Sequence, residues 1–308
     1  LPIIVFVFLL YGVFGQYSPI AVLQHPGTSW AGFVSHVYMT TEGIYGIPIG
    51  VISTVVFHFV LFGTVATRMG LGQFFIDVAQ CIAGRYAGGP AKVSVIASSM
   101  FGTINGSSIA NTVTTGALTI PAMKRIGYRG YFAGAVEAAS STGGQITPPI
   151  MGAAAFVMVE FLEIPYTTII TAAAIPAAMH YLGVLTIVHL EARRLGLRGM
   201  PAHEVPRFLD VIKRGWPTIL PLIALVYVLF SGFTPFYAAF WGITACIAVG
   251  LVNPMHRVSP RDMLDSFQLG AKYALVVGAA AASVGIVVGV VTISGAGFRV
   301  SFVVTSAA

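Results

Sequence analysis

The first 67 residues of this chain carry one formal charge, Glu42. A segment so long and so poor in charge cannot cover itself with water. The rest of the sequence follows suit, with 8% charged and 56% hydrophobic residues and a mean hydropathy of +0.88. An average soluble domain is about 25% charged. These values exclude a soluble globular enzyme and an intrinsically disordered chain, leaving an all-α, polytopic membrane protein. The net charge of +6 does not point to nucleic acid, because the basic residues form short clusters between long apolar runs, which is a topology signal. Cys81 and Cys246 both lie in apolar surroundings, which speaks against a disulfide scaffold.

A spanning helix needs about 20 apolar residues. Leu1–Tyr17 supplies one span and Gly43–Thr67 a second, ended by Arg68. The link Gly27–Thr41 is mildly amphipathic, with Trp30, Phe33, Val37 and Tyr38 near one helical face, and reads as an interfacial arm. A semi-polar stretch then runs to Lys92, broken by Gly88-Gly89-Pro90. Val93–Met123 is free of charge and 31 residues long. Two full spans need about 40 residues, and one span of 31 is unusually long. Its middle, Gly102-Thr-Ile-Asn-Gly-Ser-Ser-Ile-Ala-Asn111, makes a poor continuous helix. The economical reading is a re-entrant hairpin of two short helices turning near Asn105–Ser108; the competing one is a single long, tilted span.

Tyr131–Leu190 is long enough for two crossings and is interrupted by Thr142-Gly-Gly-Gln-Ile-Thr-Pro-Pro149 and again at Pro165. Further spans are expected at Gly215–Gly232, Pro235–Val252 and Tyr273–Phe298. The basic clusters are Arg68/Arg85/Lys92, Lys124/Arg125/Arg129, Arg193/Arg194/Arg198 with Lys213/Arg214, and Arg257/Arg261/Lys272. A re-entrant hairpin leaves an even number of crossings between successive clusters, so all four share one face, the cytoplasmic one. A full span at Val93–Met123 would split them. The order span, link, span at Leu1–Thr67 returns at Pro235–Val252, Ser259–Lys272 and Tyr273–Phe298, running in the opposite sense. That is the pattern of an inverted repeat, a feature of many secondary transporters. The chain starts without methionine inside one apolar run and stops shortly after another. We therefore expect an internal piece of a longer polytopic protein, its second repeat truncated.

Two segments concentrate polar atoms at membrane depth. One is the hairpin tip with Asn105, Gly106, Ser107, Ser108 and Asn111; the other is the break from Thr142 to Pro149. Two prolines behind Gly143-Gly144 should open a helix and free carbonyls, which lipid tolerates only beside protein or a polar cavity. Carbonyl and hydroxyl oxygens around a small gap suit Na⁺, and half-helix N-termini suit an anionic substrate. The bland alternatives are Ser and Thr bonded to their own helix and a plain proline kink. Glu137 lies two turns before the break and is either a functional carboxylate or one arm of a salt bridge. Glu160 and Glu163 are expected at the outer interface. His36, His58, His180 and His189 show no metal spacing, and no Ser/His/Asp arrangement, phosphate loop, HExxH or CxxC motif supports an enzyme.

Gly-Gly-Pro-Ala-Lys92, Phe-Gly-Thr-Ile-Asn-Gly-Ser-Ser-Ile-Ala-Asn111, Thr-Ile-Pro-Ala-Met-Lys-Arg-Ile-Gly-Tyr128 and the run Ala133–Phe156 around Thr-Gly-Gly-Gln-Ile-Thr-Pro-Pro149 closely resemble the fused permease of tripartite ATP-independent periplasmic (TRAP) transporters. The subtype resembled is TAXI and the part is the large, DctM-like subunit. The specific motifs cover about Gly43–Leu190. The resemblance implies an inverted-repeat elevator transporter of the inner membrane, driven by Na⁺ and needing no other cofactor. Its substrate would be an organic acid, C4-dicarboxylate-like or another carboxylate, delivered by a TAXI-type periplasmic binding protein. Carried over residue by residue, Gly106, Ser107, Ser108, Gly143, Ile146 and Pro148 form a Na⁺ site, and Asn105, Asn111, Gln145 and Thr147 lie near the substrate. The family's second hairpin and second Thr-Pro-Pro break are absent from this sequence. The implied division is scaffold and first arm at 1–67, and a transport-domain half at 68–164 with hairpin 93–123 and broken helix 131–162. Scaffold helices with a cytoplasmic loop follow at 165–258, then an arm and the first helix of the second repeat at 259–308. An ion channel or an unrelated inverted-repeat transporter is the alternative; a membrane-embedded enzyme would need a catalytic pair at depth, and none is found.

Overall fold

A computed structural model describes residues 1–253 and 258–307; the expected basic residue Arg257 lies outside them. The described residues form helices and connecting turns, without a strand. In chain order the helices are α1 (Pro2–Phe14), α2 (Trp30–Met39), α3 (Ile47–Arg68), α4 (Leu71–Ala83), α5 (Gly89–Gly102), α6 (Ser108–Arg125) and α7 (Gly130–Gly143). They continue with α8 (Ala153–Leu162), α9 (Tyr166–Arg194), α10 (Phe208–Phe230), α11 (Pro235–Val252), α12 (Pro260–Ser294) and α13 (Ala296–Ala307). Five of them, α3, α9, α10, α11 and α12, are long and apolar enough to cross a membrane.

Helix ends follow local chemistry. Ser29, Ser107 and Thr234 each cap the following helix by accepting a backbone N–H. Gly70 and Gly88 adopt left-handed φ at the starts of α4 and α5, a conformation that only glycine takes without cost. The Ser259 hydroxyl accepts from Asp262 N while the Asp262 carboxylate accepts from Ser259 N, a reciprocal box that opens α12.

One expectation is corrected here. Ser259–Lys272 is not a link set apart from the span expected at Tyr273–Phe298, because α12 runs unbroken for 35 residues, from Pro260 to Ser294. No proline or left-handed glycine separates Lys272 from Tyr273; the helix stops only at Gly295, where φ is +66°.

The chain divides into two compact units, Leu1–Val56 with Lys272–Ala308, and Phe57–Ala271. In the first, Phe33 and Val37 of α2 bury against Val290, supported by Phe8, Leu9, Ile44 and Ile286. Trp30 and Tyr38, expected on the same face, are exposed. The second unit is built around the α5–α6 hairpin. The buried face of α4 (Ile76, Ala79, Ala83) meets Val93 and Ala97 of α5. On its other side, Ala91 and Val95 pack with Met123, Ala133 and Val136 and with Tyr181, Val188 and Ala192 of α9. At about 1.5 Å per residue, the 14 residues of α5 reach roughly 21 Å, short of the roughly 30 Å hydrocarbon core.

The basic loops of this unit are tied together. Arg68 pairs with Asp262 at 2.9 Å and Arg125 with Glu204 at 4.0 Å, while Met200 N donates to Gly84 O at 2.8 Å. These contacts join described residues in or next to the loops that carry the four clusters.

Candidate functional site: hairpin tip and helix break

The α5–α6 turn comprises residues Thr103–Ser107, within the region expected from the sequence. Ser107 N donates to Asn105 Oδ1 at 3.0 Å, and Ser107 Oγ accepts Ala110 N at 3.3 Å, so the tip closes on itself and starts α6. The break is equally well defined. Helix α7 ends at Gly143, one tight turn occupies Gly144–Ile146, and α8 begins at Ala153. Between them Gly152 N donates to Gln145 O at 2.7 Å and Met151 N to Thr147 O at 3.2 Å. The Tyr166 hydroxyl donates to Pro149 O at 2.9 Å and also to Ile150 O. The proline pair therefore opens the helix, but several of the freed carbonyls are satisfied by the protein itself.

Tip and break lie against each other at Gly106 and Gly102. A Cβ on Gly106 would stand 1.8 Å from Met151 O and 2.9 Å from Gly152 Cα; one on Gly102 would stand 2.6 Å from Gly144 Cα. A Cβ on Gly63 of α3 would stand 2.9 Å from Ile104 O, so α3 backs the tip. Across the junction Gln145 Nε2 donates to Ser108 Oγ at 2.9 Å. Met151, whose carbonyl meets Gly106, has φ +59°, which costs a non-glycine residue roughly 1–2 kcal/mol.

This packing sorts the helix ends by polarity. The C-termini of α5 and α7 meet at Gly102 and Gly144; the N-termini of α6 and α8 meet at Gly106 and Gly152. Each helix end carries a partial charge of about half an electron, negative at the C-terminus and positive at the N-terminus. The site thus holds a spot favourable to a cation beside one favourable to an anion.

Of the residues expected at a Na⁺ site, Gly106, Ser107, Ser108 and Pro148 are half-buried, Gly143 is buried and Ile146 is exposed. Gly143 lies under α9, where a Cβ would come within 2.5 Å of the His180 ring. Among the expected substrate residues, Asn105 is half-buried and Gln145 exposed. The other two are placed differently. Asn111 is fully buried and its Nδ2 donates to Ser98 O at 3.0 Å. Thr147 is also buried, its hydroxyl donating to Gly143 O at 2.7 Å and lying 3.1 Å from Tyr181 Oη. Both are engaged in the frame of the site.

Glu137 pairs with no base among the described residues. Its side chain is fully buried and accepts five hydroxyl hydrogen bonds. Ser94 (2.7 Å) and Thr119 donate to Oε2; Ser98 (3.4 Å), Thr115 and Ser141 (3.2 Å) donate to Oε1. The donors come in pairs four residues apart, Ser94/Ser98 on α5 and Thr115/Thr119 on α6, with Ser141 four beyond Glu137 on α7. Residues at that spacing share a helix face. This ladder is not among the expectations drawn from the sequence; three i, i+4 polar pairs, one of them containing a carboxylate, are its signal there. Gly116 makes room for it, since a Cβ there would lie 2.9 Å from Glu137 Cγ. Glu160 and Glu163 are exposed beyond the break. The described residues contain no group of three or more His, Cys, Asp or Glu that could hold a metal ion.

Residues 1–308 match the family described as "Tripartite ATP-independent periplasmic transporter, DctM component". The chain is 26% identical over 226 residues to the uncharacterized protein YgiK of Salmonella typhimurium, covering 71% of this chain and 51% of that one. It is 28% identical over 185 residues to the C4-dicarboxylate TRAP transporter large permease protein DctM of Pseudomonas aeruginosa (59% and 42% covered). To the sialic acid TRAP transporter large permease protein SiaM of Vibrio cholerae it is 26% identical over 182 residues (59% and 42% covered). The chain spans about half the length of the curated relatives it matches.

Proposed function

The chain belongs to the DctM component family of tripartite ATP-independent periplasmic transporters, an inner-membrane family, and from that premise we propose that it is a permease part of a Na⁺-driven uptake system for an organic acid. The observation that carries this reading is the junction of hairpin tip and helix break, where two helix C-termini and two helix N-termini converge. The cation is held by oxygens of Gly106, Ser107, Ser108, Gly143, Ile146 and Pro148. The C-termini of α5 and α7, at Gly102 and Gly143, add negative partial charge on the break side of that place, while Gly106, Ser107 and Ser108 at the start of α6 supply oxygens only. The substrate carboxylate takes the N-terminal end of α6, a ready anion site, with Asn105 and Gln145 as its accessible polar neighbours. Asn111 and Thr147 keep the two segments in register. The substrate is C4-dicarboxylate-like or another carboxylate, in line with the C4-dicarboxylate and sialic acid named for two relatives.

Coupling follows from shared geometry. A cation between tip and break draws the two segments together and so completes the surface that the substrate meets, so each ligand raises the affinity of the other. The α5–α6 hairpin and the α7–α8 pair then travel as one body against a scaffold of spanning helices, as in an elevator. A periplasmic binding protein of TAXI type delivers the substrate; the resemblance of the tip and break motifs to that subtype supports this choice. The test is uptake of a panel of carboxylates by proteoliposomes holding the complete transport system. Accumulation is expected only with an inward Na⁺ gradient and the binding protein present. Uptake that persists without either one overturns the reading.

A further inference from the structure

Glu137 is not among the residues assigned to ion or substrate, yet its hydrogen-bond network reaches the tip and break that carry them. Thr115 Oγ1, which donates to the Glu137 carboxyl, lies 2.9 Å from Asn111 O and 3.4 Å from Asn111 Oδ1. Ser98, the partner on the opposite arm, lies 3.2 Å from Thr115 through its hydroxyl and accepts Asn111 Nδ2 through its carbonyl. Asn111 in turn packs under the break, with its Nδ2 3.2 Å from where a Cβ on Gly144 would stand. A continuous polar path thus runs from a fully buried carboxyl on α7, through both arms of the hairpin, to the contact between tip and break.

We propose that Glu137 is a positioning residue of the transport site: by taking hydroxyl donors from α5 and α6 at once, it sets the register of the two arms and so the place of Asn111 and the tip against the break. This rests on the reading that tip and break hold the cation and substrate. The residue type is what the task requires. Two carboxyl oxygens offer about four lone-pair directions and no donor of their own, whereas an amide of the same size offers one oxygen and two donors. Glutamine at this position would aim N–H groups at Ser94 and Thr119, or at Ser98, Thr115 and Ser141, and those hydroxyls would have to turn away. The surrounding helices have little freedom to adapt, because Gly116 already packs against the side chain.

The test uses Glu137→Gln, Thr115→Val and Thr115→Ser in the complete reconstituted transporter. Losing one buried polar partner corresponds to roughly a tenfold change in an equilibrium. Glu137→Gln and Thr115→Val should therefore raise the half-saturating concentrations of Na⁺ and of substrate about tenfold, with maximal rate changed less than about twofold, while Thr115→Ser restores wild-type values. Hydrogen exchange supplies a readout independent of transport: backbone amides of residues 103–112 should exchange faster in both impaired variants, and those of α11 should not. Half-saturations that stay at the wild-type value, or that change without faster exchange at the tip, overturn the proposal. So does a loss of maximal rate alone in the folded variants. If Glu137→Gln does not fold, the Thr115 pair decides between the same outcomes. If the wild type shows no uptake, the transport function itself is refuted, and exchange at the tip alone decides the positioning role.

Discussion

Replacing Gly106 with alanine is the sharpest perturbation of the site. Gly106 is not among the glycines with positive φ, so alanine is free to adopt its backbone conformation, and the cost is contact alone. The new Cβ would stand 1.8 Å from Met151 O and 2.9 Å from Gly152 Cα. An ordinary C···O separation is about 3.3 Å, so tip and break must part by about 1.5 Å. Neither neighbour is a flexible side chain end; both are backbone in a loop fastened by Gly152 N to Gln145 O and by Tyr166. Overpacking costs about 1–3 kcal/mol, and a backbone obstacle places this case near the top of that range. The entropy advantage of alanine over glycine in the unfolded chain returns about 0.4–1 kcal/mol, leaving a net loss of about 2 kcal/mol. The same displacement breaks the 2.9 Å bond from Gln145 to Ser108 and spreads the oxygens assigned to the cation. The assay pairs thermal unfolding of the purified chain in detergent with a Na⁺ titration of uptake. A lowered unfolding temperature together with at least a tenfold weaker Na⁺ response is expected, a factor of about 1.4 kcal/mol in binding. A Gly106→Ala protein with wild-type stability and wild-type Na⁺ response would refute the close approach of the two segments.

Three further substitutions bracket that result. Gly134→Ala, on α7 with nothing within 4 Å of the new methyl, should leave transport unchanged and gain about 0.4–1 kcal/mol, seen as a slightly higher unfolding temperature. Tyr166→Phe keeps the ring stacked on Phe156 at 4.6 Å but abandons the Pro149 and Ile150 carbonyls. It should cost about 1–3 kcal/mol in thermal unfolding, with no change in substrate preference. Pro148→Ala should lower uptake per folded molecule more than it lowers the unfolding temperature; equal losses of both would mean that the proline is a simple kink.

The two segments that carry the candidate site are legible in the sequence. The 31 charge-free residues between Lys92 and Lys124 are too few for two crossings and carry a polar centre, so a hairpin with its turn near Asn105–Ser108 was the economical solution. Gly-Gly followed by Pro-Pro announced the helix break for an equally local reason. Contacts between segments were less accessible. Most Ser and Thr hydroxyls here do bond a carbonyl of their own helix, as Ser99, Thr114, Ser140 and Thr142 do. The i, i+4 spacing of Ser94/Ser98 and Thr115/Thr119 marks a polar face on each helix, but that these faces meet Glu137 depends on which helix lies opposite. The same holds for Asn111 and Thr147, which the resemblance sets near the substrate: both are buried, and their partners Ser98, Gly143 and Tyr181 become visible only in the fold. The continuity of α12 was missed because a charged cluster at Arg261–Lys272 resembles a loop boundary, although no residue there breaks a helix.

Equilibrium binding of radioactive Na⁺ to the purified permease, with Gly106→Ala and Pro148→Ala beside it, tests most directly whether tip and break together form the ion site. The wild type should bind Na⁺ saturably and resist displacement by K⁺, and both folded variants should bind at least about tenfold more weakly. No saturable binding in the wild type, or binding that both variants retain at wild-type strength, would contradict it.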